Sequence, residues 1–302
     1  MNLPKPAIHD VSARIARLFF YPVKSCAGVE LQEMLLTETG PEFDRTWMVV
    51  DAQGAFVTQR KHPRLALVRP QLTAGELVLN APGMRALHIA PDLMTQPVAV
   101  KLWDERVAAF EMGDEAARWF TDFLSMSEES SQGSRHNAYR LVRFDPAYRR
   151  ISSPKWTDGV EALNRFNDGF PLLLLSDASH AQLNERLVAA GHASIVIERF
   201  RPNVVLSGLQ PHEEDLLGVI HVDAGGMDVL LKPVKPCPRC PIPNIDPLTA
   251  LSSPEVGDAL LSYRQDARLD GAVTFGMNAI VIRGIGSTLR VGQAVSADFD
   301  FD

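Results

Sequence analysis

Residues 232–246 read Lys232-Pro-Val-Lys-Pro-Cys-Pro-Arg-Cys-Pro-Ile-Pro-Asn-Ile-Asp246. Two of the chain's three cysteines, Cys237 and Cys240, stand there among two lysines, one arginine and five prolines. Proline fixes φ and has no amide hydrogen, so the stretch is barred from helix interiors and central strands and predicts a stiff loop. Thiols beside cationic side chains are in a setting that favours the thiolate. Four readings follow: two ordinary thiols that lie close together, a redox dithiol, part of a structural zinc site, or a single thiolate ligand to a redox metal whose other ligands come from a cofactor. A redox pair would open a helix, which Pro241 and Pro243 interrupt. A structural zinc site needs four ligands, and only the distant Cys26 and scattered histidines remain. The single-ligand reading asks for one cysteine and for binding residues elsewhere in the chain.

Moving outward, the stretch is fed by a strand predicted over Met227–Pro233 and followed by a helix from Ser253-Pro254 through Arg264, with serine at the N-cap and proline at N1. Phe275–Arg283 and Leu289–Val295 read as closing strands, and the Asp298–Asp302 tail as a frayed acidic end. Upstream, Pro171-Leu-Leu-Leu-Leu-Ser176 is a short apolar run suited to a strand buried on both faces. Ser176 then caps a helix that Gly191 ends. Strands follow at Asn203–Ser207 and Leu216–Val222, whereas Arg149–Phe166 reads as irregular, exposed chain.

The first third is a succession of short β segments. Ala13–Val23 is a strand stopped at Pro22, with Lys24 at its mouth, and Val29–Thr37 and Trp47–Asp51 continue the pattern. Asp51-Ala-Gln-Gly54 and Trp103-Asp104 read as hairpin turns, and Leu65–Val68, Glu76–Leu79 and Ala86–Ile89 as further strands. Turn signals at this spacing predict a barrel or sandwich. Asp114–Met126 carries apolar residues at helical spacing with acidic residues in its first turn. Ser127-Glu-Glu-Ser-Ser-Gln-Gly-Ser134 is the best candidate linker, which divides the chain into residues 1–133 and 134–302.

At 302 residues the chain can bury a large core, and its formal net charge of −7 argues against nucleic acid or an anionic membrane as a partner. Three cysteines make no disulfide framework, no run reaches the length of a membrane span, and the N-terminus lacks the apolar core of a secretion signal. These features together predict a cytoplasmic location.

Separated stretches, in order, resemble one family, the MOSC proteins related to the mitochondrial amidoxime-reducing component and its bacterial homologues. They are Tyr21-Pro-Val-Lys-Ser-Cys-x-Gly28, Asp44-Arg45-x-Trp47, Asp168-Gly169-x-Pro171 with Ser176-x-Ala178-Ser179, and Phe200-Arg201-Pro202-Asn203. Cys237-x-Arg239-Cys240 with Asp246-Pro247, and Ser262-Tyr263-Arg264 with Phe275-Gly276, complete the set. The resemblance implies an α+β, mainly β protein: an N-terminal MOSC β-barrel-like domain over 1–133 and a MOSC β-barrel domain with peripheral helices over 134–302. It implies a molybdenum cofactor, one molybdopterin held in a cleft between the two, with Cys240 as the metal's protein ligand. Cys237 is left as a packing or neighbouring thiol.

Lys24, Arg45 and Arg201 match the family's cofactor-contacting basic residues, which suit a phosphate and a polar pterin. Asp168 resembles the pterin-contacting aspartate, and Gly169 lets the backbone approach closely. Eukaryotic relatives carry hydroxyl residues where this chain has Gly169 and Phe170, a change that backbone contacts survive. Phe170, Asn203, Pro238 and Arg239 fall in the same motifs and are expected at the cofactor. The implied activity is reduction of N-hydroxylated compounds: amidoximes, hydroxylamines or N-hydroxylated bases. The rivals are a thiol or sulfur-transfer protein using Cys237 and Cys240, and a non-catalytic module that holds the cofactor. Three cysteines cannot ligate an all-cysteine iron–sulfur cluster, and no dinucleotide or haem-attachment motif is present. Because the chain also ends shortly after its last predicted strand, electrons are expected from a separate ferredoxin-like or haem protein with its reductase.

Overall fold

The computed structural model describes residues 9–73, 75–126, 138–225 and 228–301. Its centre is a closed barrel of seven strands: β1 (Val11–Phe20), β2 (Leu172–Ser176), β3 (Val204–Ser207), β4 (Leu217–Asp223), β5 (Asp228–Pro238), β6 (Ala272–Arg283) and β7 (Ala294–Phe299). Around the ring the order is β2-β3-β1-β7-β4-β5-β6, and β6 pairs back onto β2. Every neighbouring pair is antiparallel except β2 and β3. That parallel pair requires a crossover, supplied by the helix Asp177–Ala189. Ser176 caps this helix, its Oγ accepting from the Ser179 amide at 3.0 Å. The barrel interior is aliphatic, with Ile15, Leu36, Leu174, Leu206, Ile220 and Leu231 all buried. A second layer, including Phe19, Leu183, Phe200, Val256 and Phe275, packs the helices Asp177–Ala189 and Glu255–Leu261 against the barrel's outside.

The other body is built from an antiparallel sheet ordered Trp47–Val50, Arg140–Phe144, Glu105–Glu111, Pro97–Leu102 and a three-stranded sheet of Arg69–Thr73, Glu76–Asn80 and Leu87–Ile89. The helix Asp114–Ser125 closes its core with Ala116, Trp119, Phe120, Phe123 and Leu124, the spacing of one helical face. The two bodies exchange strands. β1, from the start of the chain, completes the barrel between β3 and β7, while Arg140–Phe144 adds to the sheet of the N-terminal half. The proposed linker Ser127–Ser134 lies outside the described residues.

Three local expectations are corrected. The proline-rich stretch is strand as far as Pro238, not loop throughout. Beyond Leu231, β5 pairs with β6 on one side only, and its register slips between Pro233 and Lys235 and between Pro236 and Pro238. The prolines therefore occupy an edge and bulges, where a missing amide hydrogen breaks no ladder. Arg149–Phe166 is exposed only in part: residues such as Arg149, Ile151 and Val160 face solvent, but Arg150, Ser152, Ala162, Asn164 and Phe166 are buried, because the guanidinium and the amides satisfy one another and nearby carbonyls. The acidic end is not frayed through Phe299, which belongs to β7, and Asp298 accepts from the Asp10 amide at 3.1 Å.

Candidate functional site

A cavity of about 630 Å³ opens where the edge of β5 and the Cys240 loop face the N-terminal body. Lys24, Arg45, Asp168, Gly169, Phe170, Arg201, Asn203, Pro238, Arg239 and Cys240 all line it, so residues spread over more than two hundred positions meet in one cleft. Eight basic side chains and three carboxylates face it. That excess of positive charge is gathered by a chain whose net charge is −7, although Lys24, Arg45, Arg150 and Arg199 each pair with a carboxylate.

The arginines are organised by Tyr21. Its ring is fully buried, with the Arg45 and Arg201 guanidinium carbons 4.4 Å and 4.2 Å from the ring centroid. The ring is fixed at both ends: its backbone amide donates to Asp44 Oδ1 at 2.7 Å and its hydroxyl to the Pro202 carbonyl at 3.1 Å. Gly28 makes the room, since a Cβ there would sit 2.4 Å from Tyr21 Cε1. Asp44 is itself fully buried and pairs with Arg45, so this is no surface ion pair. Arg45 and Arg201 both adopt left-handed backbone, φ +46° and +58°, uncommon for arginine and a sign that the surrounding structure imposes the geometry. Burial and the neighbouring Arg45 lower Arg201 to about 10.

Lys24, just past β1, is buried, and its Nζ donates to the Phe166 carbonyl at 2.8 Å and to Asp168 Oδ1 at 2.6 Å. Burial pushes the ammonium pKa down, and Asp168 opposes that shift. The Asp168 side chain is largely exposed, so desolvation opposes little, and Lys24 and then Arg45 hold the carboxyl at about 2. Asp168 is thus an ionised acceptor at neutral pH. Beside it, a Cβ on Gly169 would meet nothing within 4 Å, so packing does not demand glycine and the backbone lies open to the cavity.

Asn203 and Arg239 line the cleft but are spent on the fold. Asn203 donates to the Phe19 carbonyl at 3.2 Å, and its Oδ1 accepts from the Leu173 amide at 3.1 Å and from Arg45 at 3.2 Å. Arg239 donates from Nε to the Phe275 carbonyl at 2.9 Å and from Nη1 to the Phe200 carbonyl at 3.0 Å. These bonds fix the Cys240 loop against β6. Gly276, φ +75°, lies beneath it, where a Cβ would come within 2.6 Å of the Leu174 carbonyl oxygen.

Cys237 and Cys240 both line the cavity and neither forms a disulfide. The expectation that nearby cations favour the thiolate fails at Cys237, where burial raises the thiol pKa against the effect of Arg239. Cys26, buried in the N-terminal core, is pushed up to about 12 for the same reason.

Arg150 is a cleft-lining support that the sequence concealed. It is 5% exposed, donates to Glu105 Oε2 at 2.8 Å, and reaches the Arg165 and Asn167 carbonyls at 2.8 and 2.7 Å. It thereby holds the loop that carries Asp168 against the hairpin of the N-terminal body. An arginine in the stretch Tyr148-Arg-Arg-Ile-Ser-Ser-Pro154 reads as surface, and no periodicity marks it otherwise.

Barrel and cleft together define a two-part β protein with a site between its bodies lined mainly by basic side chains. In agreement, residues 12–127 match the MOSC N-terminal beta barrel domain and residues 162–296 the MOSC domain. Among curated relatives, "Mitochondrial amidoxime reducing component 2" of Rattus norvegicus is 34% identical over 93% of this chain and 82% of its own length. "Mitochondrial amidoxime-reducing component 1" of Homo sapiens is 32% identical over 93% of this chain and 82% of its own. "Molybdenum cofactor sulfurase" of Danio rerio is 28% identical over 88% of this chain but 32% of its own length. The chain belongs to the family of two-part MOSC proteins that includes the mitochondrial amidoxime-reducing components. No helix among the described residues is long and apolar enough to cross a membrane.

Proposed function

We propose that this protein binds a molybdenum cofactor in the cleft and reduces N-hydroxylated compounds such as amidoximes, hydroxylamines and N-hydroxylated bases. The observation that carries the reading is the convergence of Cys240 with Lys24, Arg45 and Arg201 in one cavity, in a relative of proteins named for amidoxime reduction.

The donor set suits the group. Cys240 would supply the soft anionic ligand that a dithiolene-bound metal lacks. Arg201 directs one nitrogen to the Cys26 carbonyl, at 2.6 Å, and keeps the rest of its fork for a phosphate or pterin oxygen. Arg199 also lines the cavity and has a buried Nε without a partner. Asn203 and Arg239, fully bonded to the chain, act as supports. When bound, the cofactor supplies two-electron redox chemistry at a Lewis-acidic metal, by which an N–OH group, two electrons and two protons give N–H and water.

The chain's own residues do the rest. Lys24 keeps a proton at Nζ between the Phe166 carbonyl and Asp168, and ionised Asp168 offers an acceptor to a pterin or substrate N–H. Tyr21 spaces the two guanidiniums, and Arg150 holds the loop carrying Asp168. The dithiol reading loses support because the Cys237 thiol pKa is raised, which leaves it little of the attacking thiolate. Electrons are proposed to come from a separate ferredoxin-like or haem carrier with its reductase.

Reduction of benzamidoxime by cofactor-loaded protein with a chemical electron donor tests the reading. Turnover that disappears in Cys240→Ala supports it; a loaded protein that forms no benzamidine overturns it.

A further inference from the structure

Trp103 is used by nothing described so far. It occupies the tip of the hairpin between Pro97–Leu102 and Glu105–Glu111 with left-handed backbone, φ +55°. That conformation is unfavourable for a bulky residue and persists only where the surroundings impose it. Hairpin tips ordinarily take Asn, Asp or Gly there, so turn geometry does not explain a tryptophan. Its indole is 38% exposed and lines the cleft, whereas Trp47 and Trp119 are 0% and 7% exposed and fill the core.

The ring is nevertheless held in place. Its Nε1 donates to Asp168 Oδ1 at 3.3 Å, and Phe56 packs against it with centroids 4.8 Å apart. The guanidinium carbon of Arg60, an exposed residue on the cavity wall, lies 4.7 Å from the ring centroid. An anchored, partly exposed aromatic covered by a long side chain that can swing into solvent is a stacking platform.

We propose that Trp103, with Phe56 beside it, is the subsite that takes the planar ring of an aromatic N-hydroxylated substrate, Arg60 swinging outward to admit it. This rests on the proposed reductase activity and adds the residue that selects aromatic over aliphatic substrates. The cofactor's pterin is the other planar ring available to the cleft. It is assigned instead to Asp168 and the arginine side.

The test uses cofactor-loaded parent, Trp103→Phe and Trp103→Leu, each checked by melting temperature and metal content. Binding of benzamidine and acetamidine, the products' amidines, is titrated calorimetrically, and KM and kcat are measured for the two amidoximes. An aromatic stacking contact corresponds to about a threefold to tenfold preference. The parent should prefer benzamidine by that factor, and Trp103→Phe should keep most of it. Relative to Trp103→Phe, which loses the same indole bond to Asp168, Trp103→Leu should lose it, with KM for benzamidoxime rising by the same factor while kcat and the acetamidoxime constants match those of Trp103→Phe.

Equal weakening of both substrates, loss in Trp103→Phe matching that in Trp103→Leu, or an unchanged preference in Trp103→Leu would overturn the proposal. Loss of metal in Trp103→Leu would also overturn it, by giving the ring to the cofactor. A loaded parent that shows the benzamidine preference but reduces neither amidoxime would sink the reductase function and leave the ring subsite standing.

Discussion

The Gly28 contact allows a sharp test of how the cleft is built. A methyl group at Gly28 would lie 2.4, 2.8 and 3.0 Å from Cε1, Cδ1 and Cζ of Tyr21. Carbon atoms settle at about 3.5–4.0 Å, so the ring must retreat by roughly 1 Å. Fully buried, bonded through its amide and hydroxyl, and flanked by two guanidiniums, the ring has nowhere to go without moving Arg45 or Arg201. Overpacking of this kind typically costs about 1–3 kcal/mol. For a chain of this size that corresponds to a melting temperature lower by roughly 1.5–5 °C. The backbone at Gly28 is not left-handed, so Gly28→Ala adds the steric clash alone. Thermal unfolding of Gly28→Ala, Tyr21→Ala and the double variant closes a double-mutant cycle. In the Tyr21→Ala background the methyl should be tolerated within about 0.5 kcal/mol. Gly28→Ala should also carry less metal, because the displaced arginines line the proposed cofactor cleft. A single variant that melts with the parent, or one that costs as much without the Tyr21 ring, would refute the reasoning.

Other expectations follow from the same contacts. Asn203→Ala removes three hydrogen bonds and orphans the Phe19 carbonyl and the Leu173 amide, so urea unfolding should show a loss of about 3–5 kcal/mol; a loss near zero would mean that the amide ties nothing together. Burial, with Arg264 and Arg186, lowers His212 to about 4, below its unfolded value of about 6.5. The unfolded chain therefore binds more protons between these values, and this group's contribution is full above pH ~6.5 and is lost as pH falls toward 4. From pH 7 to 4 the parent's melting temperature should fall further than that of His212→Gln, and parallel curves would rule out this linkage. Protein given NADH or NADPH alone should not reduce benzamidoxime, and adding an electron carrier with its reductase should start turnover; sustained turnover by the uncontaminated chain would contradict this.

Much of the fold was written locally. The Ser176 cap, the acidic first turn at Asp114 and Glu115, and the turn-rich strands of the first third are signals between near neighbours, and each appears in the structure. The pairing of β1 with β3 and β7 joins residues nearly two hundred or more positions apart and has no local signature. The prolines of the Cys240 stretch excluded a central strand but not an edge, which is where β5 runs past its partner β4. At the site, the motifs named residues that the fold gathers in one cleft, but residue type did not say which side chains remain available. Asn203 and Arg239 turned out to be committed to backbone carbonyls, and Arg150 was hidden because a buried guanidinium satisfied by asparagines looks, in one dimension, like surface.

The most direct measurement is molybdenum per chain in protein made by a cofactor-competent host, compared for the parent, Cys240→Ala and Cys237→Ala. The parent and Cys237→Ala should hold comparable metal, with Cys237→Ala keeping the parent's absorption spectrum, while Cys240→Ala should lose the metal or change its spectrum. A metal-free parent from that host, or equal changes in the two cysteine variants, would contradict the account.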